Sequence, residues 1–134
     1  MDYTNLYIDG NWQEGAGQER FDVLNPATEA VIASVASADI ADADAALDAA
    51  EAAMALWAAQ TPRHRSEVLR KAWELMTARL EEFAHLITLE NGKARADAMG
   101  EAAYAAEFFR WFAEEAVRAD GMITHAPASG ARII

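Results

Sequence analysis

Residues 107–116, EFFRWFAEEA, place Phe108, Phe109, Trp111 and Phe112 within five consecutive positions of an otherwise alanine-rich stretch. At about 100° per residue on an α-helix, these four and Tyr104 span an arc about 140–160° wide. Ala98, Ala102, Ala105, Ala106, Ala113 and Ala116 fill the next sector, where a second element can approach closely. Only Glu107, Arg110, Glu114 and Arg118 form a polar ladder, at i,i+3 and i,i+4 spacing. A surface helix ordinarily buries a stripe somewhat over about 100° wide; this one asks for cover on more than half its circumference. Each large aromatic contributes about 1.5–3 kcal/mol when fully buried. Four of them rival the whole net stability of a small domain, about 5–15 kcal/mol. What covers this helix therefore decides the fold.

The 134 residues match one ordinary domain. Residues 1–36 read as strands and turns. Asp9-Gly10 between LYI and NWQ predicts a hairpin, because both turn positions need φ > 0. Phe21 and Val23 alternate, Asn25-Pro26 opens a turn, and Val31, Ile32 and Val35 continue as a strand. After residue 37 the apolar period becomes helical. Asp39 is the expected N-cap of a first helix whose buried stripe runs Ile40, Ala43, Leu47, Ala50, Met54, Trp57. Thr61 caps a second helix with Pro62 at its first position, where a missing N–H costs nothing. Its stripe is Val68, Leu69, Ala72, Trp73, Met76, Leu80. After a break near Leu80, helix resumes through Phe83, Leu86, Ile87 and Leu89 and stops at Gly92. The aromatic helix is expected over about 94–119, with Gly121 as its stop.

Trp12, Trp57 and Trp73 also need cover, and a few short strands cannot close a core. More apolar surface is present than 134 residues can hide. MITHAPASGARII reads as a strand, a Pro/Ser/Gly turn and a strand just starting at Arg132-Ile133-Ile134, so the expectation is a segment cut from something larger.

Composition narrows the chemistry. The net charge of −11 repels nucleic acid and anionic membrane alike. No apolar run reaches the roughly 18 residues of a membrane span, and MDYTNLYIDGNW lacks the basic and apolar regions of a secretory leader. A cytoplasmic location is the expectation. Zero cysteines exclude disulfides, cysteine-bound metal and a thiol nucleophile. No GxGxxG, GxxxxGK[ST] or G-x-S-x-G occurs, and Gly10, Gly15 and Gly17 read as turn residues. Glu82 and His85 form one Glu-x-x-His, but a di-iron bundle needs two plus further inward glutamates, and His64 and His125 lack the spacing. Glu101 and Glu115 fall inside the aromatic arc yet lie about 20 Å apart along a helix. Salt bridges to arginines are expected for them rather than paired acid–base work.

In order and spacing, LYIDGNWQEG, FDVLNPATEAVIASV, the alanine-rich helix ending in Trp57, TPRHRSEVLRKAWELM, TLENGK and GEAAYAAEFFRWFAEEAVRADG resemble the N-terminal quarter of the NAD(P)-dependent aldehyde dehydrogenases. TLENGK and YAAEFFRWFAEEAVR are most similar to the succinate-semialdehyde dehydrogenase branch. The resemblance implies an α/β family fold, of which this segment is an N-terminal hairpin and short strands followed by three or four helices, incomplete on its own. It places residues 1–134 at the start of the cofactor-binding domain: strands over 1–36, helices over 37–120, and over 121–134 the start of an oligomerisation hairpin.

For a full-length relative the resemblance implies a cysteine thiolate that attacks the aldehyde, hydride transfer to NAD or NADP, and a glutamate that helps hydrolyse the thioester. It implies a small-molecule aldehyde, succinate semialdehyde for this branch, and a homo-dimer or tetramer. No catalytic or cofactor-binding residue falls in this chain, which is expected to be inactive alone. Two pairs of family positions do fall here. The carbonyl of Val23 and the side chain of Glu90 match ligands of a monovalent cation, and Gly100 and Tyr104, one turn apart, match the wall of the aldehyde tunnel. Read from the residues alone, Gly100 and Tyr104 are a helix-packing glycine and a core tyrosine. The rival to the family reading is a stand-alone helical module that docks through its aromatic helix.

Overall fold

Local chemistry places most elements where the residues ask for them. The computed structural model describes residues 3–119, 121, 124–125, 127 and 132–133. Strands β1 (Leu6–Ile8) and β2 (Asn11–Gln13) pair antiparallel about Asp9 and Gly10, whose φ values of 48° and 77° give the expected two-residue turn. Strands β3 (Arg20–Leu24) and β4 (Val31–Ala36) form a second antiparallel pair, with a register shift between Val23 and Leu24. The Asn25 side chain accepts from the Ala27 N–H at 2.9 Å, and its carbonyl accepts from Glu29 at 2.8 Å, closing the turn that Pro26 opens. Arg20 ties both pairs together. Its guanidinium donates to Glu14 at 2.6 Å, to the Thr4 hydroxyl at 2.7 Å and to the Ser34 carbonyl at 2.6 Å.

Helix α1 (Ile40–Ala58) starts with a reciprocal capping box: the Asp39 carboxylate accepts from the Asp42 N–H at 3.1 Å, and the Asp42 carboxylate accepts from the Asp39 N–H at 3.0 Å. Helix α2 (Pro62–Ala78) is capped by Thr61, whose hydroxyl accepts from His64 N–H at 3.2 Å. The break expected near Leu80 is a single residue, Arg79, and helix α3 (Leu80–Asn91) follows it. Gly92 closes α3 with φ 72°, and a Cβ there would stand 2.9 Å from Cγ of Pro26. Only glycine meets both demands. Helix α4 (Arg95–Glu115) ends four residues short of the expected Ala119, and its last turn is held by Ala116 N–H to the Phe112 carbonyl. Strands β5 (Thr124–His125) and β6 (Arg132–Ile133) pair antiparallel. Of the expected terminal strands, Met122, Ile123 and Ile134 lie outside the described residues.

The helices split into two unequal parts. Helix α4 packs on α2 and α3 through Ala98, Ala102, Ala106 and Ala113, all buried, with Ala84 of α3 buried against the same layer. Ala105, expected in that seam, is exposed, and Ala116 is half-buried. Val68 of α2 and Leu86 of α3 also face outward from their expected stripes. Helix α1 departs furthest from expectation. Its contacts are few, chiefly with β1, and Ile40, Ala43, Leu47, Ala50, Met54 and Trp57 are all exposed. Amphipathic spacing gave the face, but no described element lies against it. No large side chain is fully buried among the described residues; the core is alanine.

Candidate functional site

The aromatic arc of α4 forms a groove of about 330 Å³ lined by Tyr104, Glu107, Phe108, Trp111 and Phe112. These residues follow i, i+3, i+4, i+7, i+8 spacing, which puts them on one face of the helix. Tyr104 and Phe108 meet edge-to-face with ring centroids 4.9 Å apart, the arrangement that the ring quadrupoles favour. A second hollow of about 330 Å³ continues over Leu69, Phe108, Phe109 and Phe112. Tyr104 is 67% exposed and Trp111 60% exposed. A Cβ built on Gly100 meets nothing within 4 Å. Gly100 is thus no helix-packing glycine and Tyr104 no core tyrosine. The structure keeps both on one open face, with Phe108, Trp111 and Phe112 as further walls that spacing along the sequence already marked.

Val23 lies half-buried in β3 at the register shift, and Glu90 is exposed in the last turn of α3. The Gly92–Pro26 approach brings their two segments together. Two residues before Glu90, the Thr88 hydroxyl oxygen is buried with no hydrogen-bond partner. Nothing in the sequence marked that oxygen.

The remaining charged candidates resolve into ion pairs. Glu82 is paired with Arg79 at 2.7 Å, and that guanidinium holds its carboxyl below the usual range. No group of three His, Asp or Glu side chains able to hold a metal occurs among the described residues. Glu101 pairs with Lys93 rather than with an arginine, and Glu115 pairs with Arg118 at 2.6 Å. Arg118 thereby departs from the expected ladder partner Glu114, while Arg110 keeps Glu107 at 2.5 Å.

One polar device escaped sequence reasoning. Asp42 is 5% exposed, and besides the capping box its carboxylate accepts from the Ala16 N–H at 3.0 Å. The backbone donors of Asp39 and Ala16 hold this carboxyl below its usual range. Gly15 beside it is buried, and a Cβ there would collide with the Ser37 carbonyl, so the loop closes onto the start of α1.

A hairpin, a strand pair and four helices in this order match one family. Residues 12–134 match the aldehyde dehydrogenase family, and the chain belongs to it. A succinate-semialdehyde dehydrogenase of Paenarthrobacter nicotinovorans is 52% identical over 104 residues, 78% of this chain and 23% of that protein. The NADP(+) succinate-semialdehyde dehydrogenase of Saccharomyces cerevisiae is 43% identical over 86% of this chain and 23% of its own length. The crystal structure of an aldehyde dehydrogenase from Brucella melitensis biovar abortus superposes with a TM-score of 0.91 at 40% identity, over 96% of this chain and 27% of that one. The chain thus spans about a quarter of the length of these relatives. No described helix is long and apolar enough to cross a membrane.

Proposed function

We propose that this chain is the N-terminal portion of a cytoplasmic oxidoreductase that converts succinate semialdehyde to the carboxylate with NAD or NADP as hydride acceptor. The observation that carries the reading is 52% identity to a succinate-semialdehyde dehydrogenase across most of the chain, combined with a bare aromatic groove. In this reading the α4 groove, through Gly100 and Tyr104, forms one wall of the aldehyde passage, and the remaining walls come from residues of the longer protein. The segment belongs to the cofactor-binding domain, with 121–134 opening an oligomerisation hairpin of a dimer or tetramer. The chain has no cysteine and no phosphate-cradling glycine loop, so it supplies neither nucleophile nor cofactor site.

Its own residues act by shape. Packed rings exclude water from the passage, and the Tyr104 hydroxyl at the rim offers the aldehyde or its distal carboxylate a hydrogen bond. The Val23 carbonyl and the Glu90 carboxylate are hard oxygens of the kind a monovalent cation takes, with the cation bracing the α3 end against the Pro26 turn.

A chimera tests this reading: the 134 residues replace the matching quarter of the Paenarthrobacter enzyme, and reduction of NAD+ and NADP+ is followed with succinate semialdehyde. The chimera is expected to turn over, Tyr104→Ala within it to lower kcat/KM by about tenfold, equivalent to about 1.4 kcal/mol, and the isolated chain to be inert. A folded, cofactor-binding chimera without turnover, or turnover by the isolated chain, would overturn it. The first of these outcomes would leave the docking module as the reading of the aromatic helix.

A further inference from the structure

The bare face of α1 has a spacing and a charge pattern that together specify a covering element. Ile40, Ala43, Leu47, Ala50, Met54 and Trp57 follow one another at intervals of three, four, three, four and three residues. That alternation keeps the apolar seam on one narrow line of the helix, the pattern that a second helix covers at a shallow crossing angle. Leu47, Ala50, Met54 and Trp57 border a hollow of about 660 Å³, with Glu51 and Ala53 at its edges. The small side chains of Ala43 and Ala50 let a partner helix approach closely between the larger ones.

The two flanks of the seam differ. At about 100° per residue, Glu51, Asp44 and Asp48 lie about 40–100° to one side of Leu47, whereas Ala46 and Ala53 border the seam on the other side. No lysine, arginine or histidine occurs in α1 to balance those acids. Covering the seam therefore brings a row of carboxylates to the rim of the contact, where opposite charge steers a partner in and like charge rejects it. A second copy of α1 does not meet that requirement. Laid antiparallel, it sets Asp44 and Glu51 against their own counterparts; laid parallel, it sets them against alanine. The net charge of −11 opposes the encounter in either direction. Length points to another source, because the chain spans only 23% of each of two dehydrogenase relatives, and the rest of such a protein is available to supply the cover.

We propose that α1 docks a helix of the longer protein that presents an apolar ridge to Leu47, Met54 and Trp57 and carries lysines or arginines along the flank that faces Asp44, Asp48 and Glu51. The proposal rests on the reading of the chain as part of a longer dehydrogenase but uses no residue of the aromatic groove.

Two labelled synthetic helices test the chemistry, each three heptads long with leucine at both seam positions, one flanked by lysine and the other by glutamate. Titrated with the chain and followed by fluorescence anisotropy, the lysine peptide is expected to bind at least about tenfold more tightly than the glutamate peptide, with the ratio falling in high salt. Leu47→Ser/Met54→Ser, at two exposed positions, is expected to weaken the lysine peptide at least about tenfold with circular dichroism unchanged. Asp44→Lys/Glu51→Lys is expected to reverse the preference. Equal affinity for the two peptides, or lysine-peptide binding that survives Leu47→Ser/Met54→Ser and is lost in Phe108→Ser/Phe112→Ser, would overturn the site. Self-association of the chain that Leu47→Ser/Met54→Ser abolishes would put a second copy in the partner's place and overturn it too. The source is tested in the chimera with the Paenarthrobacter enzyme. Met54→Cys, followed at that residue by mass spectrometry, is expected to react with a maleimide at least about tenfold more slowly in the chimera than in the isolated chain. A chimera that oxidises succinate semialdehyde while this thiol stays fully reactive overturns the docking and leaves the dehydrogenase reading standing; an inert chimera with a protected thiol does the reverse.

Discussion

Helices α1 and α4 have the same raw material, alanine interleaved with large apolar residues, yet they sit in the molecule in opposite ways. On α4 four alanines are buried in a seam with α2 and α3, and the rings stand outside it. On α1 nothing comparable is covered; Leu47 is 68% exposed, and the helix is held at its start by the Asp39–Asp42 box and the Ala16 latch. The contrast teaches that helical periodicity says which face wants cover but not whether the cover lies in the same segment. A seam of alanines closes by close backbone approach between helices of the same segment, whereas a face of Leu, Met and Trp needs a broad partner.

Enlarging the seam should break the contrast most. Ala106→Leu inserts bulk where α2 and α4 approach and is expected to cost about 1–3 kcal/mol, read as a lower midpoint in urea. Equal midpoints for Ala106→Leu and the parent would mean that the seam is not what holds α4.

Loss of the cap on α1 comes next. Asp39→Ala removes the acceptor for the Asp42 N–H and is expected to cost about 1 kcal/mol, with faster amide exchange at Ala16 and Asp42 before any change in the α4 seam. The latch also carries a pH signature. Because the folded Asp42 carboxyl titrates below its ordinary value, its contribution is present above the unfolded aspartate pKa of about 3.9 and is lost as pH falls through the folded value. Acid melting of Asp42→Asn should therefore be flatter than in the parent across the window between those two values. An identical acid limb in both proteins would remove Asp42 from the account.

Smaller still, Lys93→Ala breaks an exposed pair with Glu101 across the α3–α4 junction and is expected to cost about 1 kcal/mol or less, and less again in high salt. Smallest is Leu47→Ala on the bare helix, expected within about 0.5 kcal/mol. A cost above 2 kcal/mol, in the range of core truncations, would show that α1 has a covering partner. The rings should report in solution as well: ANS fluorescence with the chain is expected to drop when Phe108 and Phe112 become serine, and an unchanged signal would place the dye elsewhere.

Much of the fold was legible because short-range rules govern it. The Asp9-Gly10 turn, the caps at Asp39 and Thr61, the break before Leu80 and the stop at Gly92 each follow from one or two residues whose φ or side-chain oxygen is required locally. The aromatic face of α4 was legible too, since Tyr104, Phe108, Trp111 and Phe112 share a helical face by spacing alone. What escaped was non-local. The Asp42 carboxylate reaches Ala16, twenty-six positions earlier, and the Ser66 hydroxyl shares a groove with Arg118 because two helices cross. No periodicity encodes either.

By itself, then, the sequence determined where α1 and α2 begin, where α3 ends and where the hairpin turns, and that the α4 rings would form one continuous face, because those outcomes are set within a few residues by dihedral limits and capping oxygens. Tertiary structure alone decided that α4 would give its alanines and not its rings to α2 and α3, and that α1 would stay uncovered. Burial depends on which surfaces can approach closely, and only the packed arrangement sets those distances.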